Sequence, residues 1–124
     1  MSDTPLVTDI QLIAVYVTDL DRAVTFYTDI LGFTKGTDMP PGLILNSGKA
    51  MIYLEPGRTE TDTEPNTTRE VSAVFATKSV AAARKHLEDK NVTMIGDYQQ
   101  FGDDFAFFRF ADPDGNVHEF GGRP

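Results

Sequence analysis

Cysteine is absent from the 124 residues, and so is tryptophan. Without thiols there can be no disulfide framework, no thiolate-bound zinc and no cysteine nucleophile, and the absence favours a reducing, cytoplasmic setting. Histidine is scarce as well, with two residues, His86 and His118. That leaves no credible Ser-His-Asp set and few imidazole ligands. No apolar run approaches the roughly 18 residues that would span a bilayer, so no membrane association is expected. The opening MSDTPLVTD has neither the basic nor the apolar region of a secretory signal. Positive charge is also in deficit, with 11 Lys and Arg against 19 Asp and Glu and a formal net charge of −8. Such a surface repels phosphate backbones, which argues against nonspecific nucleic-acid binding and mildly favours neutral or cationic ligands. Phosphate-cradling P-loops and dinucleotide glycine fingerprints are missing too.

What is there reads as one soluble-type domain, since 40% of the residues are hydrophobic and the length suits a single core. Ile10 to Val17 is rich in β-branched and aromatic residues, as a buried strand is. Thr18 and Asp19 then offer helix-capping side chains. Leu20, Ala23, Val24, Tyr27, Ile30 and Leu31 follow at spacings of three and four, and Gly32 is placed to end the helix. Short strands are expected over 33–37, 43–46 and 50–54, separated by Pro40-Pro41-Gly42 and Asn46-Ser47-Gly48. Residues 56–70 have no apolar period and read as an exposed connector, whose Asn66-Thr67-Thr68 triplet carries no meaning in a cytoplasmic protein.

Beyond the connector the order recurs: a strand over 71–77, a helix over 79–89, then strands over 92–100, 104–110 and 116–120. An offset of 59 residues lays Val15 to Thr18 on Val74 to Thr77, and Ala23 on Ala82. The expected fold is therefore α+β. Tandem βαβββ modules, about 8–55 and 71–121 within a single domain over 1–124, form a cleft of curved mixed sheet, with one helix packed outside each module.

VYVTDLDRAVTFYTDILGF at 15–33 and FADPDGNVHEF at 110–120 resemble the vicinal oxygen chelate superfamily of glyoxalases, fosfomycin-resistance proteins, extradiol dioxygenases and bleomycin-binding proteins. The resemblance spans essentially the whole chain. It implies a cleft between modules, a homodimer, and, in the enzymes, a divalent metal held by His and Glu. At the positions corresponding to those ligands the chain carries Leu12, Tyr53 and Ser72 (Val71 if the alignment slips by one), and only Glu119 survives. One carboxylate does not hold Zn²⁺, Fe²⁺ or Mn²⁺, which need three or four converging donors. No cofactor is expected, and no metal-binding residue is assigned. A non-standard divalent site using Glu119 stays open as an alternative.

Alternation of strand side chains separates His118 from Glu119 onto opposite faces. With Glu119 facing the cleft, His118 is expected to pack on the helix side, and His86 to sit solvated on its helix. The same alternation points Leu12, Ala14 and Tyr16, then Ser72, Val74 and Ala76, and then Met51, Tyr53 and Glu55 into the cleft. It also groups Phe105, Phe107 and Arg109 on one face, and Ala106, Phe108 and Phe110 on the other. Arg109 resembles a substrate-contacting position of fosfomycin-resistance enzymes. It either pairs with Glu119 or grips a ligand carboxylate or phosphate. The expected ligand contacts are Leu12, Tyr16, Met51, Tyr53, Ser72, Phe107 and Arg109, with Glu119 as the candidate catalytic carboxylate. Two functions follow: a small-molecule-binding protein with an aromatic, metal-free cleft, or a lyase or isomerase of glyoxalase type.

Overall fold

The computed structural model describes Leu6, residues 10–57 and residues 72–124. Residues 58–71, most of the expected connector, lie outside the described residues, as do Asn66-Thr67-Thr68 and Val71. The first module runs β1 (Ile13–Val17), α1 (Leu20–Thr25), β2 (Thr34–Met39), β3 (Gly42–Ser47) and β4 (Ala50–Pro56). The second runs β5 (Val74–Phe75), α2 (Val80–Asp89), β6 (Thr93–Phe101), β7 (Phe105–Ala111) and β8 (Val117–Gly122). Each forms a mixed four-stranded sheet, ordered β1-β4-β3-β2 and β5-β8-β7-β6, with the outer pairs β1/β4 and β5/β8 parallel.

Local chemistry accounts for the helix ends. Asp19 accepts the Arg22 amide and Ser79 that of Ala82, each satisfying a donor that a helix start leaves unpaired. The first helix is not α-helical to its end, because Phe26–Ile30 form a π turn. There the Thr28 hydroxyl donates to the Val24 carbonyl at 2.7 Å, competing for a helix acceptor, and the Leu31 amide reaches back to Phe26. Gly32 then turns the chain with φ +85.

The two capping residues are 60 positions apart, and burial shows that the repeat offset is 60 rather than 59. Val15 and Val17 are buried, whereas Val74, which the offset of 59 pairs with Val15, is 59% exposed. Ala73 and Phe75 are the residues that face the core. A slip of one residue reverses every side chain of a strand, so only an even offset keeps the apolar set inside. Ser72, Val74 and Ala76, the alternate set, are all exposed.

One apolar cluster serves both modules, joining Val15, Val17, Tyr27, Phe33, Leu45 and Leu54 to Leu87, Ala106, Phe108 and Phe110. The modules therefore meet through their helix-bearing faces. Phe33 packs edge-on to Phe75 at 6.0 Å, and Tyr27 meets His118 at the same ring separation. His86 is exposed but not merely solvated, since its Nε2 bonds the Ile30 carbonyl of the other module at 2.9 Å.

Polar contacts fix the alignment of this junction. The Tyr27 hydroxyl has one proton, which it donates to Asp112 Oδ2 at 2.8 Å. His118 Nε2, 2.7 Å from the same oxygen, must therefore be the donor there. Asp112 Oδ1 also accepts the amides of Asp114 and Asn116, which shapes the DPDG turn. Asp114, fully buried, accepts from the Thr18 amide and hydroxyl and from Arg22 Nη2, tying that turn to the first helix's start.

Burial, and after it the charge and hydrogen bond of Asp112 with a smaller contribution from Asp114, push the Tyr27 phenol well above its ordinary ionisation range. The unfolded chain releases this proton near pH 10 while the folded chain keeps it, so the phenol's contribution is complete below about pH 10 and falls as pH rises above it. Tyr27→Phe strands two buried partners and should cost roughly 1–3 kcal/mol in urea unfolding at neutral pH. The gap between wild type and variant should narrow above about pH 10. At Gly42 an added Cβ would lie 1.9 Å from the Leu54 carbonyl oxygen. Gly42→Ala should therefore break the β3/β4 register and lower the unfolding midpoint by more than Tyr27→Phe does.

Candidate functional site

Each sheet turns one face to the shared core and leaves the other open. On the first sheet the open face carries Ala14 and Tyr16 from β1, with Leu12 just before the strand. Met51, Tyr53 and Glu55 join them from β4. Strand register sets Ala14 beside Tyr53 and Tyr16 beside Glu55. Tyr16 is 54% exposed. The Tyr53 hydroxyl is already committed to the hairpin below it, donating to the Met39 carbonyl at 2.8 Å and accepting the Gly42 amide at 3.1 Å. Its ring edge, rather than its hydroxyl, is what it can offer a ligand.

The second sheet's open face is more distinctive. Register aligns Val74, Glu119, Arg109 and Ile95 in one row across β5, β8, β7 and β6. Arg109 Nε donates to Glu119 Oε1 at 3.3 Å, and the guanidinium lies 5.9 Å from the Phe107 ring centre. The Arg109 side chain is 49% exposed and that of Glu119 18%. Among the described residues only Nε is engaged, so both Nη groups keep their donors. Next to this pair, Phe107 stacks on Phe101 at 5.9 Å and contacts Phe105 at 6.2 Å. Gly121 leaves the space that Val74 and Phe105 occupy, since a Cβ there would meet Val74 Cγ1 at 3.1 Å. A bulge in β6 after Ile95 opens a hollow of about 220 Å³ bounded by Gly96, Asp97, Gln99, Phe107 and Arg109.

Of the predicted contacts, Phe107, Arg109 and Glu119 thus lie together on one face. Leu12, Tyr16, Met51 and Tyr53 lie together on the other sheet. Ser72 is exposed beside β5. Among the described residues, no hydrogen bond, ion pair or ring contact joins side chains of the two open faces. Phe101, which stacks on Phe107, was missed by sequence reasoning. Strand β6 running to Phe101, with the hairpin bringing it opposite Phe105, is the signal that could have found it.

The donor set does not fit a divalent metal of the family type. At the positions of the family's ligands, leucine supplies no donor, the Tyr53 hydroxyl is held by two backbone groups, and the one carboxylate, Glu119, is paired with a guanidinium. Among the described residues, no group of three or more His, Cys, Asp or Glu is placed to hold a metal ion.

Comparison with known proteins agrees with the architecture. The fold is similar to that of an integron cassette protein from the mobile metagenome of V. cholerae, with TM-score 0.71, 24% identity, and coverage of 95% of this chain and 97% of that one. A lactoylglutathione lyase from Agrobacterium tumefaciens gives TM-score 0.71 at 20% identity over 94% and 95% of the two chains. The fosfomycin resistance protein FosX from Listeria monocytogenes gives 0.76 at 15% over 94% and 93%. No curated protein sequence matches the chain. A family model matches residues 9–120, and with both βαβββ modules in place the chain belongs to the Glyoxalase/Bleomycin resistance protein/Dioxygenase superfamily.

Proposed function

We propose that this protein binds a small, flat or partly aromatic molecule on the open face of the second sheet, without a metal ion, under cover of a second copy of the chain. The observation that carries the reading is the run of accessible rings that ends at the Arg109–Glu119 pair. Phe101 is 60% exposed and Phe105 44%. Apolar surface gathered in this way marks a place where something docks. Ring stacking supplies affinity for a flat ligand. The free Nη groups of Arg109 supply a bidentate grip for a carboxylate or phosphate, while Glu119 balances the guanidinium when the site is empty.

Geometry also supports the second copy. The hollow of about 220 Å³ is smaller than the roughly 300–1,000 Å³ of ordinary ligand pockets, so a single chain leaves such a ligand largely uncovered. The first sheet's open face, with Tyr16, Met51 and the Tyr53 ring, offers a matching lid from a symmetry-related copy. The absence of cysteine supports a cytoplasmic setting.

A second reading rests on Glu119, a mostly buried carboxylate on the ligand side. In a lyase or isomerase it would take a proton from a carbon acid held by Arg109.

Calorimetry and thermal shift against aromatic carboxylates, neutral aromatics and cationic drugs should show saturable stabilisation by members carrying a flat ring. Arg109→Ala should weaken the carboxylates about tenfold or more and leave neutral ligands nearly unchanged. Stoichiometric tight Zn²⁺, Ni²⁺ or Mn²⁺ that requires Glu119 would overturn the metal-free site. Turnover of a bound compound that stops in Glu119→Gln would establish the second reading instead. Sedimentation should show a dimer at micromolar concentration, shifted toward monomer by Tyr16→Asp, whereas a monomeric wild type would remove the second-copy lid.

A further inference from the structure

A second hollow, larger than the one beside Arg109, lies on neither open face. A groove of about 840 Å³ lies between the modules, where the end of the first helix and the β3–β4 turn face β5 and the start of α2. Its lining includes Phe33, Phe75 and Phe120. The Phe75 ring lies 6.0 Å from Phe33 and 5.8 Å from Phe120. On the α2 side the lining residues are Ala82, Ala83, His86 and Leu87, and the two alanines leave open the volume a larger side chain would fill.

The charges on the groove's lining differ from those of the chain. Lys49 and Lys78 both border it, exposed, and neither makes an ion pair among the described residues. Among the described residues the lining carries one carboxylate, Asp29. Among the described residues, two ammonium groups against one carboxylate make this lining locally cationic on a chain whose net charge is −8. His86 does not compete for an occupant through Nε2, which is bonded to the Ile30 carbonyl.

We propose that this inter-module groove is a binding site for an amphipathic organic carboxylate, such as a medium-chain fatty acid. The apolar body lies against Phe33, Phe75 and Phe120, and the carboxylate reaches Lys49 and Lys78. The site is separate from the open face that carries Arg109, and it stands whether or not that face binds a ligand. Its occupant touches both modules and so bridges them, and since binding favours the folded form it raises the unfolding temperature.

The test uses decanoate below its micellar concentration, with decanol and decyltrimethylammonium as neutral and cationic controls, followed by amide chemical shifts of the full chain. Decanoate should move the amides of Gly32, Ala50, Ala82 and Ala83 saturably and leave those of Phe107 and Arg109 in place. Ala82→Phe, an exposed helix position, should abolish the effect by filling the groove. The double variant Lys49→Glu, Lys78→Glu should weaken decanoate about tenfold or more and serves if the first variant folds poorly. Equal binding of all three amphiphiles, no saturable shift at the groove amides, shifts concentrated at Phe101 to Arg109, or unchanged affinity in the charge-reversed variant would each overturn the site.

Discussion

The junction depends on a single proton on the Tyr27 hydroxyl. Because that proton goes to Asp112, the neighbouring imidazole has to donate, and the hydrogen-bond direction runs from His118 through Tyr27 to the DPDG turn. All three groups are buried, and each would be costly to leave unmatched. A shift of one module against the other would separate the phenol from both partners at once. The aromatic packing of Phe33 on Phe75 tolerates small slides, since dispersion has little direction, whereas this chain of bonds does not. The consequence reaches the open sheet faces. Because the helix-bearing faces are committed to each other, Tyr16 on one sheet and the Phe101 to Phe107 rings on the other are left on the open sides.

Much of this was legible in the chain because sheet geometry has a period of two. Phe105, Phe107 and Arg109 separate from Ala106, Phe108 and Phe110 by alternation alone, and the second set is 0% exposed. Glu119 and His118 part in the same way. The junction was not legible, since Asp112 and Asp114 lie 85 to 96 positions from the groups they bind across it. Locally DPDG reads as a turn, which it is, and nothing nearby indicates that its carboxylates are interior. One clue existed: a phenol inside the apolar stripe of a helix must find a polar partner when buried. The offset of 59 failed for a different reason. It matches residue type over a few positions only, and valines suit either face of a strand, whereas the caps Asp19 and Ser79 mark the repeat without that ambiguity. Strand β5 is short because only Val74 and Phe75 pair with β8, so apolar content over 71–77 overstated it.

The pairing of Arg109 with Glu119 weighs against binding of a cation at this carboxylate. A carboxylate that would count as a ligand is here neutralised by a guanidinium one strand away, and the row around it is otherwise valine and isoleucine. Recruiting a cation to Glu119 would require displacing or repelling Arg109, a cost that histidine ligands are not present to offset. An anionic group on a ligand meets the opposite situation, since it adds bonds to Arg109 without breaking the existing one.

Strand β8 carries both candidate surfaces, because Glu119 belongs to the open face and Phe120 to the inter-module groove. The two residues are adjacent in sequence, yet closeness is not coupling. An effect of one occupant on the other needs an element with two arrangements that both can bias. β8 is hydrogen-bonded on both sides, to β5 and to β7, and His118 anchors it to the junction. Such a strand has little freedom to rotate, and its alternation directs neighbouring side chains into separate environments rather than transmitting force between them. The physical expectation is two nearly independent surfaces on one rigid core, linked only by the stability that each occupant adds to the fold.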